Sequence, residues 1–499
     1  MKLRRLILSL LIVLSLTFGQ MIHVYAEETS GSYSYTIKNN PQTLTQEVVD
    51  ESFSSKTNAS PKKFKASSSG NTFESTKEAC AYIREGLVNR EETITFMITY
   101  REVLNENSVR DYGMNLFDEA TSHTGKEDEG DYIEWQFDEC KQRCNYYIYQ
   151  TYSKCIYSFT VSYYTTADEE ATVTDSLNQV YDDLNLDGLN EYNKFMAIYE
   201  YVTHNVTYDH EHVDDESYLH QYTAYGALID HTAVCQGYAL LLYRMLLHVG
   251  IDTRLIPGYA YKTELHAWNI VKFDDYYYNV DSTWDAGDDN NYNYCLRPDT
   301  YFNKEHTRFV TYKTDDFYKQ YPMYMAEYGQ TIDVNPVISF PKMPSYTGKP
   351  IQPDLNVEID EKVILSAYYT VDYADDAVKV GKYNVSITLK GGYVGEATAE
   401  FKIVPQSTSI KKLTAKSKGF KATWTKKSTQ VTGYQIRYST SSSMSSAKTK
   451  SITSYKTVSK TITKLKKKKK YYVQVRTYKT VSGTKYYSSW SAKKSIKTK

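Results

Sequence analysis

The feature that most constrains the fold of this chain is an apolar helix that begins at a cysteine and precedes two short strands. The helix is predicted to run from Cys235 to Val249, and Gly250 follows as a natural stop. One strand begins at His266, and a second strand ends at Asp281. Because an apolar helix must bury its face against another layer, the pattern predicts an α+β core.

The polar residues of this pattern indicate thiol chemistry. Cys235 lies in the first helical turn, where free N–H groups and the helix dipole favour a thiolate and can hold an oxyanion. His266 and Asp281 lie near one end of adjacent strands, which a turn at Asp274-Asp275 joins. We therefore predict that His266 deprotonates Cys235, that Asp281 orients His266, and that the thiolate attacks a carbonyl carbon. Taken singly, each residue is more often structural.

The same residues resemble the transglutaminase-like superfamily, in the form common in secreted proteins of Gram-positive bacteria. The resemblance spans residues 192–308 and lies in four motifs: Tyr225-Gly226-Ala227-Leu228, Cys235-Gln236-Gly237-Tyr238-Ala239, His266-Ala267-Trp268-Asn269 and Asp281-Ser282-Thr283-Trp284-Asp285. It implies a papain-like fold and a thioester acyl-enzyme that water or an amine resolves, with no metal or other cofactor. It also suggests an oxyanion and substrate pocket formed by Tyr225, Gln236, Trp268 and Trp284, although packing of the sheet is the alternative role of the two tryptophans.

The other cysteines and acidic residues do not indicate a metal site. Cys140 and Cys144 lie near Cys155, but no second close pair completes a zinc pattern, and six cysteines are sparse for a disulfide scaffold. The acidic loop Asp285, Asp288 and Asp289 does not have the spacing of an EF-hand, which favours a solvated loop. We predict no metal ligands and no particular disulfide.

The N-terminus predicts export. Residues 1–26 combine early basic residues, an apolar run and small residues before a cleavage point after Ala26, as in a signal peptide. The apolar run is too short to favour a permanent membrane helix, so an uncleaved anchor is the minor alternative. We expect a secreted or extracellular protein with no membrane span after cleavage. Association with the cell wall is one form of this expectation.

Composition divides the remaining chain into five parts. Together they predict a multidomain fold, with an α+β papain-like or transglutaminase-like core followed by two all-β sandwich domains. The parts are a flexible lead-in (27–70), a small α+β module (71–166), the transglutaminase-like catalytic domain (167–335), a unit resembling a bacterial immunoglobulin-like sandwich (336–405) and a unit resembling a fibronectin type III domain (406–499). The last resemblance depends on alternating apolar residues: Trp424, Tyr434, Ile436, Tyr438, Leu465, Tyr471, Val473 and Val475.

Charge is distributed unevenly along the chain. Residues 406–499 contain 25 Lys and Arg and no Asp or Glu, whereas the rest of the chain holds 34 basic and 60 acidic residues. A strongly basic unit on an exported protein points to an anionic wall polymer or surface glycan before nucleic acid. The alternative is that these lysines only solubilise exposed strands.

The leading functional hypothesis is an exported thiol-dependent acyl-transfer enzyme that acts on peptide or protein amides at the cell surface, with wall peptides among its candidate substrates. The residues do not separate hydrolysis, as in a peptidase or amidase, from transamidation, because both reactions share the first half. The alternative hypothesis is a non-catalytic, wall-associated scaffold that uses the domain for recognition.

Overall fold

The computed structural model describes residues 29–40, 45–57, 71–213, 215, 217–287 and 292–499. They divide into two compact units. The first comprises the described residues through Phe273 with the segments Tyr278–Leu296 and Phe302–Val310, and the second comprises the remainder. The predicted signal peptide lies outside the described residues. Within them, no helix is both long and apolar enough to span a bilayer.

A six-stranded sheet organises the N-terminal part of the first unit. Its strands, in chain order, are β1 (Thr29–Asn40), β2 (Thr45–Thr57), β3 (Asn71–Phe73), β4 (Thr93–Tyr100), β5 (Phe137–Ile148) and β6 (Ser153–Tyr163). Their spatial order is β2-β1-β5-β6-β4-β3. Helices α1 (Thr76–Val88) and α2 (Glu106–Ala120) share a core with this sheet, and a short α3 (Asp131–Glu134) follows. The alternating burial of β4 is that of a strand with one face on the core.

The prediction of a flexible lead-in over residues 27–70 is wrong for 29–40 and 45–57. These residues form β1 and β2, and β1 pairs with β5 along its length. Tyr33, Tyr35 and Ile37 alternate toward the core and are almost fully buried. The Ser- and Thr-rich composition concealed this period of two, which is the signal of a half-buried strand.

The C-terminal part of the first unit contains the cysteine helix. Its helices are α4 (Ala167–Leu184), α5 (Glu191–Asn205) and α6 (Cys235–His248), with a 3₁₀ turn at Leu219–Tyr222 and a π-helical turn at Gly226–Asp230. Two short strands, β7 (Thr207–Tyr208) and β8 (Thr232–Ala233), pair in parallel. A four-stranded sheet has the order β11-β10-β9-β12, and its strands are β9 (Thr253–Ala260), β10 (Glu264–Phe273), β11 (Tyr276–Val280) and β12 (His306–Arg308).

Helix α6 is the centre of this part. Every residue from Cys235 to Leu247 is buried, as expected of a helix that is apolar on all sides. Its C-cap is Val249, and Gly250 has a φ of 83°, so the predicted helix and its stop are confirmed. The helix packs against β10 and β9 on one side and against α5 and α3 elsewhere.

Buried polar contacts join the N-terminal part to the rest of the first unit. The Asp131 carboxylate accepts two hydrogen bonds of 2.7 Å from the Arg254 guanidinium. Glu170 on α4 forms an ion pair with Arg90 at 2.9 Å and accepts a hydrogen bond from Arg244 on α6 at 3.0 Å. The boundary predicted near residue 166 therefore does not separate two compact units, because charged groups buried in pairs fix the two segments together.

The second unit is mostly β-structure. Its helices are α7 (Asp299–Phe302), whose last residue belongs to the first unit, and α8 (Asp315–Gln320). Over residues 332–403 the strands are β13 (Ile332–Asp333), β14 (Val337–Ser339), β15 (Asn356–Ile359), β16 (Lys362–Val363), β17 (Tyr369–Tyr373), β18 (Gly381–Leu389), β19 (Tyr393–Val394) and β20 (Glu396–Ile403). Two three-stranded sheets, β14-β15-β16 and β17-β18-β20, hold small cores. The immunoglobulin-like assignment of this region stays a prediction.

The last strands build a two-sheet unit. They are β21 (Ile410–Lys416), β22 (Gly419–Trp424), β23 (Gly433–Ser439), β24 (Lys448–Ile452), β25 (Ser459–Ile462), β26 (Lys470–Val481), β27 (Thr484–Tyr487) and β28 (Lys494–Lys497). One sheet is β21-β22-β25, and the other is β24-β23-β26-β27 with β28 on β26. All eight apolar residues predicted from the sequence lie in or against the shared core.

Candidate active site

Cys235 is the first residue of α6. The N-cap is Val234, and no side chain of the described residues caps the helix, so the first N–H groups remain available near the thiol. The residue is 9% exposed, more than Val234 at 5% and Gln236 at 1% on either side of it. Gly237 allows this turn to pack closely, since a Cβ there would lie 2.9 Å from the carbonyl oxygens of Gln221 and Thr223.

His266 connects Cys235 to Asp281. It lies on β10 opposite Gly258, and its ring is near enough to Cys235 for the two side chains to interact electrostatically. His266 Nε2 is 2.7 Å from Asp281 Oδ2, which leaves the other ring nitrogen for the thiol. Burial disfavours the imidazolium, but Asp281 and Cys235 outweigh it and raise the pKa of His266 to about 10.

Asp281 is fully buried at the end of β11 and accepts four hydrogen bonds. Oδ2 accepts from His266 and, at 2.9 Å, from His306 Nε2. Oδ1 accepts from the backbone N–H groups of Thr283 at 3.0 Å and Trp284 at 3.1 Å. Burial opposes ionisation, but the two histidines hold the pKa of Asp281 below its ordinary value, so the carboxylate stays charged.

His306 is a site residue that the sequence analysis missed. It lies on β12 opposite Ala260 and is fully buried. Four aromatic rings surround it, with centroid distances from 3.9 to 5.5 Å: Phe302, Trp284, Trp268 and Tyr294. No sequence motif marks this histidine, because only the pairing of β12 with β9 brings it to Asp281.

The two histidines and the carboxylate lie together in an arrangement that metal sites also use. One ligand atom from each of His266, Asp281 and His306 lies within 4.8 Å of the others. Each histidine Nε2 lies at hydrogen-bond distance from the same carboxylate oxygen. Hydrogen bonds to an ionised carboxylate therefore account for the grouping without a metal ion.

Tyr208 is a second residue that the sequence analysis missed. It lies on β7 and pairs with Ala233, and Ala233 is two residues before Cys235 in the chain. Burial raises the pKa of its half-buried phenol, and Cys235 raises it further. In contrast, within the described residues no hydrogen bond or ring contact joins Tyr225, the predicted oxyanion donor, to the three site residues. Its ring instead packs on His220 at 4.8 Å.

Gln236 does not line a pocket, so its predicted pocket role is wrong. Its amide group is buried and donates to the backbone carbonyls of Trp135 at 3.0 Å and Tyr222 at 3.1 Å. The polar amide is used to fix the start of α6, because a buried donor must find an acceptor.

The two predicted tryptophans differ in position. Trp268 is 1% exposed and donates to Asn279 Oδ1 at 3.3 Å, so it packs the sheet and does not face a ligand. Trp284 is half-buried, with its ring 5.5 Å from that of His266 and stacked at 4.9 Å on the exposed ring of Tyr261. Trp284 and Tyr261 thus form an aromatic wall beside His266.

The acidic loop is only partly described. Asp285 is buried and accepts from the Tyr199 hydroxyl at 2.7 Å and from the Tyr294 N–H at 3.0 Å. Burial raises its pKa to about 6. The expectation of a solvated loop is therefore wrong for Asp285, because its neighbours satisfy it inside the fold; Asp288 and Asp289 lie outside the described residues.

Comparisons with known proteins agree with this geometry. Residues 179–282 match the model of the transglutaminase-like superfamily, and residues 404–493 match that of the fibronectin type III domain. Kyphoscoliosis peptidase of Mus musculus is 29% identical over 129 residues, and that of Homo sapiens is 26% identical; each match covers 24% of this chain and 19% of the relative. The chain thus spans about a fifth of the length of these curated relatives.

A solved structure described as that of a TGase is 15% identical and covers 50% of this chain and 64% of its own, with a TM-score of 0.23. The two matched models cover the cysteine helix through Asp281 and the terminal two-sheet unit. The chain is therefore a multidomain protein that carries a transglutaminase-like domain and a C-terminal fibronectin type III domain.

Proposed function

We propose that this protein is an exported thiol-dependent acyl-transfer enzyme that acts on peptide or protein amides at the cell surface. The observation that carries the proposal is the buried hydrogen bond of 2.7 Å between His266 and Asp281, with Cys235 interacting with the same imidazole from the first turn of a buried helix. A merely structural cysteine has no need of a histidine held by an ionised, fully buried carboxylate. The match to the transglutaminase-like superfamily supports the same chemistry.

The first half-reaction acylates the thiol. His266 takes the proton of Cys235, and the thiolate forms a bond to the amide carbonyl carbon. The negative charge moves to the carbonyl oxygen, for which the N–H of Cys235 and the hydroxyl of Tyr208 are the candidate donors. The C–N bond then breaks, and His266 returns its proton to the departing amine, leaving a thioester on Cys235.

The second half-reaction releases the acyl group. A water molecule gives a proton to His266 as its oxygen attacks the thioester carbon, and the returning proton regenerates the thiol while a carboxylic acid leaves. An amine in place of water would yield a new amide. We favour hydrolysis, because water is the more abundant acceptor and because the two curated relatives are named peptidases.

Wild type and Cys235→Ala should be incubated with wall peptides and separately with a Gln-containing protein plus a labelled amine. Mass spectrometry is expected to find cleaved peptides with wild type alone. Cys235-dependent incorporation of the amine would instead identify a transamidase.

The competing proposal is a non-catalytic scaffold. It predicts that Cys235 reacts with iodoacetamide no faster than a free cysteine, and that no product in either assay depends on Cys235. Both results together would overturn the enzyme proposal. His248→Ala is a suitable control, because this histidine lies at the other end of α6 and contacts Glu127.

A further inference from the structure

Three chain segments that are distant in sequence meet at one end of the fibronectin type III domain. The β21–β22 turn contains Lys418, whose N–H donates to the Lys499 carbonyl at 3.0 Å. The β25–β26 turn joins the same end, since the Leu465 N–H donates to the Lys418 carbonyl at 2.9 Å. The segment after β28 closes the group, since the Thr498 N–H donates to the Lys469 carbonyl at 3.0 Å. These bonds place the turns and the last described residues side by side.

The residues brought together are almost all lysines. We call this surface the lysine end and define it as Lys416, Lys418, Lys464, Lys466–Lys470, Lys497 and Lys499, all of which are exposed. Residues 406–499 contain no Asp or Glu, and no ion pair found in the described part of the chain involves these lysines. Ten ammonium groups therefore repel one another with no acidic side chain of their own domain to compensate them.

The backbone of the lysine end is fixed and partly strained. The Tyr471 hydroxyl accepts from the Lys466 N–H at 3.2 Å, and the Thr498 hydroxyl accepts from the Lys469 N–H at 3.1 Å. Lys418, Lys464 and Lys468 have φ values of 47°, 61° and 53°, in the region that favours glycine or asparagine. Lysine at such positions costs about 1 kcal/mol each and adds like charge, so neither turn geometry nor stability explains the choice.

We propose that the lysine end binds a linear anionic polysaccharide. Lysine ammonium groups act as point charges without the fork that reads phosphate or base edges, which suits recognition by charge density along a flexible polymer. The two arginines of the domain, Arg437 and Arg476, lie elsewhere, each 4.3 Å over the Trp490 ring. The cluster thus offers many similar contacts to a repeating anion, and this binding is independent of the chemistry at Cys235.

The aromatic residues near the lysine end argue against a nucleic acid. Single-stranded nucleic acids are held by bases stacked on exposed rings. Tyr471 is buried, and the ring of Tyr472 faces the ammonium groups of Lys470 at 5.2 Å and Lys493 at 5.8 Å. A base would have to displace these lysine contacts to stack on Tyr472.

The test compares two variants of the full chain that lose the same charge. The first replaces Lys416, Lys466, Lys467 and Lys497 by Gln, taking residues from all three segments and none from a left-handed position. The matched control replaces four other exposed lysines of the same domain by Gln. They lie outside the lysine end and are Lys426, Lys450, Lys456 and Lys485. Circular dichroism and Trp fluorescence should show that both variants keep the wild-type fold.

Binding to heparin, a sulfated polysaccharide, is measured by fluorescence titration at several NaCl concentrations. For wild type and the control variant we expect a steep linear fall of log K with log[NaCl]. Each neutralised anion releases about 0.7–0.9 counterion in nucleic-acid systems. Because the lysine-end variant lacks four lysines, its slope of log K against log[NaCl] should be smaller in magnitude than that of wild type by about 3. It should also bind at least tenfold more weakly at low salt.

Three results would overturn the proposal. The first is an equal loss of affinity in both variants, which would mean that heparin binds through the total charge of the domain and not at the lysine end. The second is absent or salt-independent binding by wild type. The third is tighter binding to single-stranded or duplex DNA of matched charge than to heparin, which would assign the surface to nucleic acid.

Discussion

At the scale of single residues, the site depends on one carboxylate. Asp281 is fully buried, remains charged, and divides its four hydrogen bonds between two imidazoles and two backbone N–H groups. Such a carboxylate both orients His266 and raises its pKa, so that the imidazolium can persist beside a thiolate. Two substitutions that act on this carboxylate should have opposite effects on pH dependence.

Replacement of Asp281 by Asn should lower the pKa of His266. The neutral amide keeps acceptors for the backbone N–H groups but no longer favours the imidazolium, whose pKa is about 10 in the native protein. The imidazolium, which attracts the anionic reagent iodoacetate, will then be lost at lower pH, so the alkaline limb of Cys235 alkylation by iodoacetate should move toward neutrality. Reaction rates measured from pH 5 to pH 11, with Cys235→Ala as the background, would test this. An unchanged limb would contradict it.

Replacement of His306 by Phe should move the same limb in the other direction. Phe fits the aromatic surroundings but removes one of the two imidazoles that share Asp281 Oδ2. The carboxylate is then less compensated and favours the His266 imidazolium more strongly.

His306→Gln can still donate to Asp281 and should shift the limb less. His306 acts through Asp281 and is therefore a positioning residue. A uniform drop in rate at every pH, equal in both variants, would indicate a structural role only.

At the scale of elements, helix α6 is held at several points by the N-terminal part of its unit. Gln236 at its start donates to the Trp135 carbonyl, Tyr243 in its middle donates to the Glu129 carbonyl, and Arg244 pairs with Glu170. Burial disfavours the Glu170 carboxylate, but Arg90 and Arg244 hold its pKa below the ordinary value. The position of Cys235 is thus determined by residues far from it in sequence.

Replacement of Glu170 by Ala should destabilise the first unit strongly. The substitution leaves two buried guanidinium groups, Arg90 and Arg244, without their carboxylate, and loss of one member of a buried pair costs about 3–5 kcal/mol. Glu169→Ala is the matched control, since it removes the capping box of α4 and a partly exposed contact with His220, and it should cost about 1 kcal/mol. Urea unfolding followed by far-UV circular dichroism compares the two. Similar midpoints would contradict the assigned role of the pair.

At the scale of the whole molecule, the sheet of β1–β6 is part of the first unit, which holds the candidate site, and not an appended module. The contacts of Asp131 with Arg254 and of Gln236 with Trp135 cross the boundary predicted at residue 166. Severing the chain there would expose apolar surface and leave buried charges without partners. The boundaries predicted for the other parts remain predictions.

A fragment that begins at residue 167 should therefore fail to form the site, whereas one that begins at residue 29 should form it. Both fragments run to residue 499, so they differ only in the N-terminal part. We expect rapid proteolysis of residues 167–310 in the shorter fragment and resistance in the longer one, with loss of selective Cys235 alkylation in the former. A compact, selectively alkylated shorter fragment would show that the two parts fold independently.

Sequence periodicity predicted the elements with strong local signals. The apolar run after Cys235 became α6, and the alternation from Trp424 to Val475 became the core of the fibronectin type III domain, because burial of a helix face or a strand face leaves a regular pattern in sequence. It failed for β1, where three buried hydrophobic residues stand among polar residues. It also failed for Gln236, since a polar side chain in a motif does not reveal which carbonyl it faces.

The sequence alone therefore determined the nucleophile helix, the hairpin that carries His266 and Asp281, and the excess of lysine in the last domain. Only the tertiary structure decided that His306 shares the carboxylate, that Trp135 holds the residue after Cys235, and that lysines from three segments meet at one end. The physical reason is range: periodicity and capping act between near neighbours in the chain. Strand pairing and buried polar contacts instead join residues whose separation in sequence leaves no local pattern.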